Sequence, residues 1–325
     1  MHMKAYVLLF SILILFGSCS ESEAQLVEDK GKEITMGDPF ILKVDSSYYL
    51  YGTSAANGIV VYKSDDLASW SGPCGAVGNL ALHKNDVWGE KWFWAPEVYE
   101  LDGLFYMFFS VEEHIAVATS TSPLGPFTQK SKRPLLETKA IDTHLFIDDD
   151  GRKYLYYVAF TDGNVIWMSE MNDNCLSIKE NSVKECFKSS QPWEFSTKNP
   201  VAKVNEGPYV LKHNGLYYMV YSANHFENPD YGIGYAIASK PTGPWKKYEG
   251  NPIIASNENL KGTGHCAFFL DHNENLNVVY HSHFSDQEIQ PRLVHINQCK
   301  FVVDPNGGPD ILTIIEPVLT PVLCE

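Results

Sequence analysis

The sequence predicts an all-β fold, and within it a five-bladed β-propeller in a single domain. Three observations carry that prediction. A segment built from a polar leading residue, an apolar run, a tight turn and an aromatic run occurs five times, at spacings of 45 to 64 residues. Repetition on this scale marks an array of supersecondary units. Aromatic residues form 13% of the chain, with 18 Tyr and 17 Phe, which suits sheets better than helices. Past residue 30 no long stretch places its apolar residues at helical spacing.

Each segment reads as a hairpin. The first, GDPFILKVDSSYYLYGTS from Gly37, turns at Asp45-Ser46. The second, APEVYELDGLFYMFFSV from Ala95, turns at Asp102-Gly103. The third, IDTHLFIDDDGRKYLYYVAF from Ile141, turns at Asp150-Gly151, and the fourth, EGPYVLKHNGLYYMVYSA from Glu206, at Asn214-Gly215. The fifth, GHCAFFLDHNENLNVVYHSHF from Gly264, turns at Asn273-Glu274. Asp-Gly and Asn-Gly tolerate the positive φ that tight hairpin turns require. A second hairpin follows most of these, with first strands GIVVYKS, HIAVATS, NVIWMSE, YGIGYAIAS and RLVHINQ and the turns DDLASW, SPLGPF and KPTGPW. Each unit therefore holds about four strands, the content of a propeller blade. A β-sandwich with irregular loops is the alternative, and the internal repeat argues against it. Nothing in the chain marks how the ring closes.

The 325 residues leave room for two average domains or one large all-β domain, and no Ser/Gly/Pro-rich linker divides them. Hydrophobic residues at 44% suffice for a core. Lys4, the apolar run from Ala5 to Phe16 and the small residues Gly17 and Ser18 read as an export signal, too short for a membrane span. Phe16-Gly17-Ser18-Cys19 resembles a lipobox, so residues 1–18 are expected to be removed and Cys19 lipidated. Ordinary cleavage near Ala24 is the plainer alternative. Residues 19–33 are expected to form a polar tether, and residues 34–325 the propeller. The expected location is outside the cytoplasm, lipid-anchored at the outer membrane on its surface or periplasmic face.

The formal charge of −15 repels nucleic acid and anionic membranes, so the only membrane attachment expected is the lipid on Cys19. Beyond Cys19 there are six cysteines, Cys74, Cys175, Cys186, Cys266, Cys299 and Cys324. Export permits disulfides. Cys175 with Cys186 could bridge a hairpin, and reduced buried thiols are the equal alternative. No CxxC motif suggests zinc.

In a propeller the first strands line the axis, so residues far apart in sequence meet at one end of the channel. The five segments are led by Asp38, Glu97, Asp142, Glu206 and His265. Breaking a glycosidic bond uses two carboxyl groups: one protonates the leaving oxygen, the other activates water or attacks directly. A third carboxylate nearby raises the acid's pKa by like-charge repulsion. Each residue has a plainer reading. An Asp before Pro is ordinarily a turn, a Glu before Gly a surface loop, a lone His a satisfied structural group and a Trp part of the core.

Taken in order and spacing, GDPF with Asp38, WAPEV with Trp94 and Glu97, IDTHLFIDDDG with Asp142, EGPYV with Glu206, SANHFENPDYGIGYA over 222–236 and GTGHCAFF over 262–269 resemble the signature blocks of glycoside hydrolase family 43. The resemblance runs from about Thr35 to the C-terminal region. It implies a five-bladed propeller and an inverting mechanism, with Asp38 as general base, Asp142 as pKa modulator and orienter, and Glu206 as general acid. Thr143-His144 departs from the Pro-Ser common after the modulator. The resemblance also implies an axial place for His265 beside a calcium ion. Calcium prefers oxygen ligands, so waters would intervene. No organic cofactor is implied. Trp94, Glu97, His225 and Arg292 are the expected substrate-binding residues, with Tyr231 bordering the site.

The expected activity is inverting hydrolysis of arabinose- or xylose-containing plant polysaccharides, with exo-acting α-L-arabinofuranosidase first. The chain ends soon after the fifth blade, without the C-terminal β-sandwich of many β-xylosidases of the family. β-Xylosidase, endo-arabinanase and endo-xylanase are the alternatives. A non-catalytic glycan-binding propeller is the reading from another class, and it would not need three carboxylates at equivalent positions. The expected partner is an oligo- or polysaccharide, and the expected state a monomer.

Overall fold

In the computed structural model, which describes residues 31–196 and 201–324, each repeat becomes a blade of a five-bladed propeller. From the axis outward, blade 1 pairs Gly37–Val44, Ser47–Ala55, Gly58–Ser64 and Leu80–His83. Blade 3 pairs Ala140–Ile147, Lys153–Phe160, Asn164–Glu170 and Lys184–Phe187. Blade 4 pairs Asn205–His213, Leu216–Ala223, Gly232–Ala238 and Lys246–Lys247, and blade 5 pairs Gly264–Leu270, Leu276–Ser282, Leu293–Val302 and Ile311–Leu319. Blade 2 departs from the four-strand expectation, with only Trp94–Leu101, Leu104–Val111 and His114–Ser120. Its fourth strand is reduced to one bridge between Thr119 and Thr128.

The hairpin turns follow their chemistry. Asp45, Asp102 and Asn214 adopt φ of 50°, 52° and 48° at the two-residue turns of blades 1, 2 and 4. In blades 3 and 5 the connection is longer than a two-residue turn, with Ile147 facing Lys153 and Leu270 facing Leu276. There the Asp148 carbonyl accepts the Gly151 N–H, and the Asp271 carboxylate accepts the N–H groups of Asn273 and Asn275. Between blades, alternate side chains of the aromatic strands interdigitate, with Tyr51, Phe108, Tyr156, Tyr218 and Tyr280 all buried.

One irregularity repeats in all five innermost strands. The pairing register slips near each strand's start, and one residue there takes a left-handed conformation: Asp38, Ala95, Asp142, Gly207 and His265, with φ between 44° and 55°. These bulges re-aim the strand head toward the axis. Asp and His are among the residues that tolerate positive φ best. The equivalence corrects the alignment drawn from the sequence: Glu206 precedes the kinked position by one residue and Glu97 follows it by two.

The ring closes through both termini. The Ile34 N–H donates to Pro321 O, the Leu323 N–H to Lys32 O and the Val294 N–H to Ile34 O. Val322–Leu323 pairs in parallel with Ser69–Trp70 of blade 1. The N-terminal segment is thus laid between blade 5 and the C-terminal tail. Lys32 and Glu33, expected in the tether, belong to the fold, since Glu33 bridges Val322. The signal segment and Cys19 lie outside the described residues. Among the described residues all six cysteines are free, Cys175 and Cys186 included, and no helix is long and apolar enough to cross a membrane.

Candidate active site

Three of the five kinked heads, Asp38, Asp142 and His265, line a cavity of about 840 Å³ together with Glu206, Trp94, His225 and Arg292. A groove of about 680 Å³ between blades 4 and 5 has only Glu316 as a carboxylate among its lining residues. The chemistry therefore gathers at the axis.

A relay of hydrogen bonds sets the geometry. The kinked amide of one blade donates to a side chain on the second strand of the blade before it. Asp38 N donates to His281 Nδ1 (3.1 Å), Ala95 N to Thr53 Oγ1 (2.9 Å), Asp142 N to Ser110 Oγ (3.0 Å) and His265 N to Ser222 Oγ (2.7 Å). These acceptors hold one register position, opposite Gly264, Gly37, Trp94 and Glu206 respectively. In blade 3 that position is Val158, which pairs with Ile141 and has no acceptor. The Gly207 N–H donates instead to Asp142 Oδ2 (3.2 Å), which draws this carboxylate beside Glu206. Gly207 shares the left-handed φ of the other four heads, at 55°, and a Cβ on it would stand 3.2 Å from the His265 ring, closer than an ordinary contact.

The three carboxyl groups have different surroundings. Asp38 accepts from Arg292 Nη1 (2.7 Å) and Nη2 (3.3 Å) and from Thr53 Oγ1 (2.6 Å). Burial acts to raise its pKa, but Arg292, His265, His281 and the Thr53 hydroxyl outweigh it and hold the carboxyl well below its usual range. Gly37 makes room for Arg292, since a Cβ there would lie 1.8 Å from the guanidinium carbon. Asp142 goes the other way. Burial pushes it up to about 7, with the charges of Glu206 and Asp38 adding to the rise and His265 and the Gly207 N–H opposing it. Interacting carboxyls of this kind titrate as a set. Glu206 is held from both sides, by Asn164 Nδ2 on Oε2 and by the Tyr231 hydroxyl on Oε1, each at 2.9 Å. Tyr231 is itself packed on His281, and Gly264 leaves it room, a Cβ there falling 1.8 Å from its ring.

His265 Nδ1 faces Asp38 Oδ1 at 3.4 Å and Asp142 Oδ2 at 3.8 Å, and these carboxylates outweigh burial to raise its pKa. Among the described residues no group of three or more His, Cys, Asp or Glu could hold a metal ion. The donor set does not fit a calcium ion held by side chains, and a hydrated ion would rest on His265 alone.

The expected substrate-binding residues separate. Trp94 and His225 line the cavity, Trp94 stacked with Trp92 at 5.7 Å. Arg292 lines it too, with its guanidinium paired to Asp38. Glu97 does not. It is 6% exposed and bonded to the Tyr99 hydroxyl and to His144 Nδ1, the latter at 3.0 Å, in a buried cluster that is not part of the cavity wall. The kink sits at Ala95, so Glu97 occupies the register position of His144 and points into the packed layer.

Thr53, Ser110, Ser222, His281 and Asn164 were not anticipated. A signal existed for four of them: YGTS, FFSV, VYSA and YHSH each place a polar residue near the end of an otherwise apolar strand.

An axial cavity of a propeller with one clamped carboxylate, one raised carboxyl and one doubly held carboxyl defines a glycoside-hydrolase site. Comparison with known proteins agrees. The sequence model of glycosyl hydrolases family 43 matches residues 33–305, and the chain belongs to that family. An endo-1,4-beta-xylanase structure from Bacteroides thetaiotaomicron is 42% identical, with a TM-score of 0.83 over 91% of this chain and 99% of that one. A thermostable family-43 glycoside hydrolase is 38% identical, with a TM-score of 0.79 over 90% and 97%. Among characterised sequences, the beta-D-galactofuranosidase xynD of Aspergillus niger is 28% identical over 76% of this chain and 74% of its own. The extracellular endo-alpha-(1->5)-L-arabinanase 2 of Bacillus subtilis is 26% identical over 73% and 54%. The protein is a glycoside hydrolase.

Proposed function

We propose that the protein hydrolyses arabinose- or xylose-containing plant polysaccharides with inversion, and that α-L-arabinofuranosyl linkages are its first target. The observation that carries the mechanism is the division of labour in one cavity: Asp38 clamped as a carboxylate by Arg292, Asp142 raised beside Glu206, and Glu206 aimed by Asn164 and Tyr231. In this reading Asp38 takes a proton from water while the water oxygen attacks the anomeric carbon. Glu206 delivers its proton to the glycosidic oxygen as the bond to carbon breaks. Asp142, near both, keeps a proton available to the acid. Inverting pairs leave roughly 6.5–9.5 Å between carboxyls for that water.

The furanoside preference is supported by relatives named as an arabinanase, an exo-arabinofuranosidase and a galactofuranosidase. α-L-Arabinofuranose and β-D-galactofuranose share their ring stereochemistry. β-1,4-Xylan is the second reading, favoured by the 42% identity to the xylanase. The same proposal includes export and a lipid on Cys19 anchoring the enzyme at the outer membrane.

A panel of aryl α-L-arabinofuranoside, aryl β-xyloside, arabinan and xylan tests it, with the product anomer followed by NMR. Glu206→Gln and Asp38→Asn should each reduce turnover of unactivated polysaccharide by about 10³-fold or more. Retention of the anomeric configuration would overturn the mechanism. Hydrolysis of xylan but not of any arabinoside would move the substrate to the second reading.

A further inference from the structure

Phe160 ends the second strand of blade 3, and it is 42% exposed. Single exposed apolar residues are ordinary. Phe160 differs in its place, because it lines the catalytic cavity. The other rings there are engaged. Trp92 stacks on Trp94 and lies 4.1 Å from the Lys91 ammonium. Phe226 meets the Arg292 guanidinium at 5.3 Å and the His225 ring at 5.1 Å. Phe93 stacks on Phe109, and Tyr231 on His281. Among the described residues no ring or cation packs on Phe160.

The backbone tells which part of a substrate this ring would meet. Phe160 pairs with Asn164 across the blade 3 hairpin, and Asn164 is the residue that donates to Glu206 Oε2. The hairpin tip is held in place by the Asn164 N–H on Lys203 O and by Asp162, paired with Lys188 and Lys203. Phe160 therefore stands on the acid's side of the cavity. The acid protonates the leaving oxygen, so the sugar beyond that oxygen lies on this same side.

We propose that Phe160 is a specificity-determining residue that packs against the sugar ring on the leaving side of the scissile bond. The inference rests on the reading of Glu206 as the acid. Its ligand is a furanose or pyranose residue of a saccharide chain. The C–H face of such a ring is apolar, and a water-free contact with Phe160 fixes its tilt as the glycosidic oxygen receives the proton. The substrate thus extends past the cleaved bond, and the leaving unit contributes to recognition.

The test uses paired substrates, α-1,5-arabinotriose with α-L-arabinofuranosyl fluoride, and xylotriose with β-D-xylosyl fluoride. Fluoride leaves without a ring and without acid assistance. For the pair that the wild type turns over, Phe160→Ala should lose about tenfold in kcat/KM on the trisaccharide, mainly through KM, and nothing on the fluoride. Phe160→Trp should restore the trisaccharide. Equal losses on both substrates, or no loss on either, would overturn the proposal. Glu206→Gln tests the supporting assignment separately: an acid is needed for the trisaccharide and not for the fluoride. If Glu206→Gln loses both or neither, the acid assignment fails whatever Phe160 does.

Discussion

Asp142 shows how one residue trades stability for reactivity. Its carboxyl ordinarily titrates at 3.8 and is pushed up to about 7 in the fold. Between those values the folded chain holds more protons at this site than the unfolded chain does, so stability falls as pH rises through the window. Asp142→Asn removes the ionisation. At about pH 8 its melting temperature should exceed that of the wild type by a few degrees, and the gap should close toward about pH 4. Activity should fall by about 100-fold or more over the same range. A lower melting temperature at the alkaline end would contradict this account of the site. Asp38, Asp142 and Glu206 were legible in the sequence because each sits at the head of a repeated segment. Glu97 differs: the carboxylates suggest one alignment of the segments, whereas the fold aligns them on a backbone kink that leaves no mark at Ala95. Asn164 was not legible, since its partner Glu206 lies across a hairpin tip whose docking depends on tertiary contacts.

Among the elements, the second strand of blade 3 matters most. Every other second strand offers a hydroxyl or an imidazole to the amide of the next blade, and this one offers Val158. The missing acceptor sends the Gly207 N–H to Asp142, a bond that lowers that carboxyl's pKa against the pull of burial. Val158→Thr would place a hydroxyl at the register position of Thr53, Ser110 and Ser222. It should compete for the Gly207 N–H, push Asp142 still higher and move the corresponding limb of the pH–rate profile to higher pH, with turnover down about tenfold. Val158→Ala, which adds no hydroxyl, should leave the limb where it is. A limb moved equally by both variants would mean that repacking, not hydrogen bonding, is responsible. Strands and turns were readable from their patterns. The loss of the fourth strand of blade 2 was not, because its turn motif SPLGPF resembles the KPTGPW of blade 4, which keeps that strand.

At the scale of the whole molecule the seam between blades 1 and 5 decides how the ring holds together. Hydrogen bonds cross every blade interface, and at this seam they include backbone bonds from segments at opposite ends of the described chain, between Ile34 and Pro321 and between Leu323 and Lys32. Deleting residues 320–325 removes the strand beside Ser69–Trp70 and the partner of Glu33. With each hydrogen bond contributing about 1 kcal/mol, the melting temperature should drop by about 5 °C or more, read by calorimetry. An unchanged transition would show that the ring closes without these bonds. The sequence could not reveal this seam, because two-residue pairings between opposite ends of a chain have no local signature.

The five kinks have a consequence for how chemistry of this kind could be altered. Asp38, Asp142 and His265 present ionisable groups from kinked positions, Gly207 lies close against the neighbouring imidazole, and Ala95 offers only a methyl group. The backbone at Ala95 already adopts the left-handed shape that Asp and His accept. Ala95 is nevertheless buried and does not line the cavity, so the ring amounts to a holder with three open seats. Functional groups could be exchanged in it one at a time without redrawing the path of a strand.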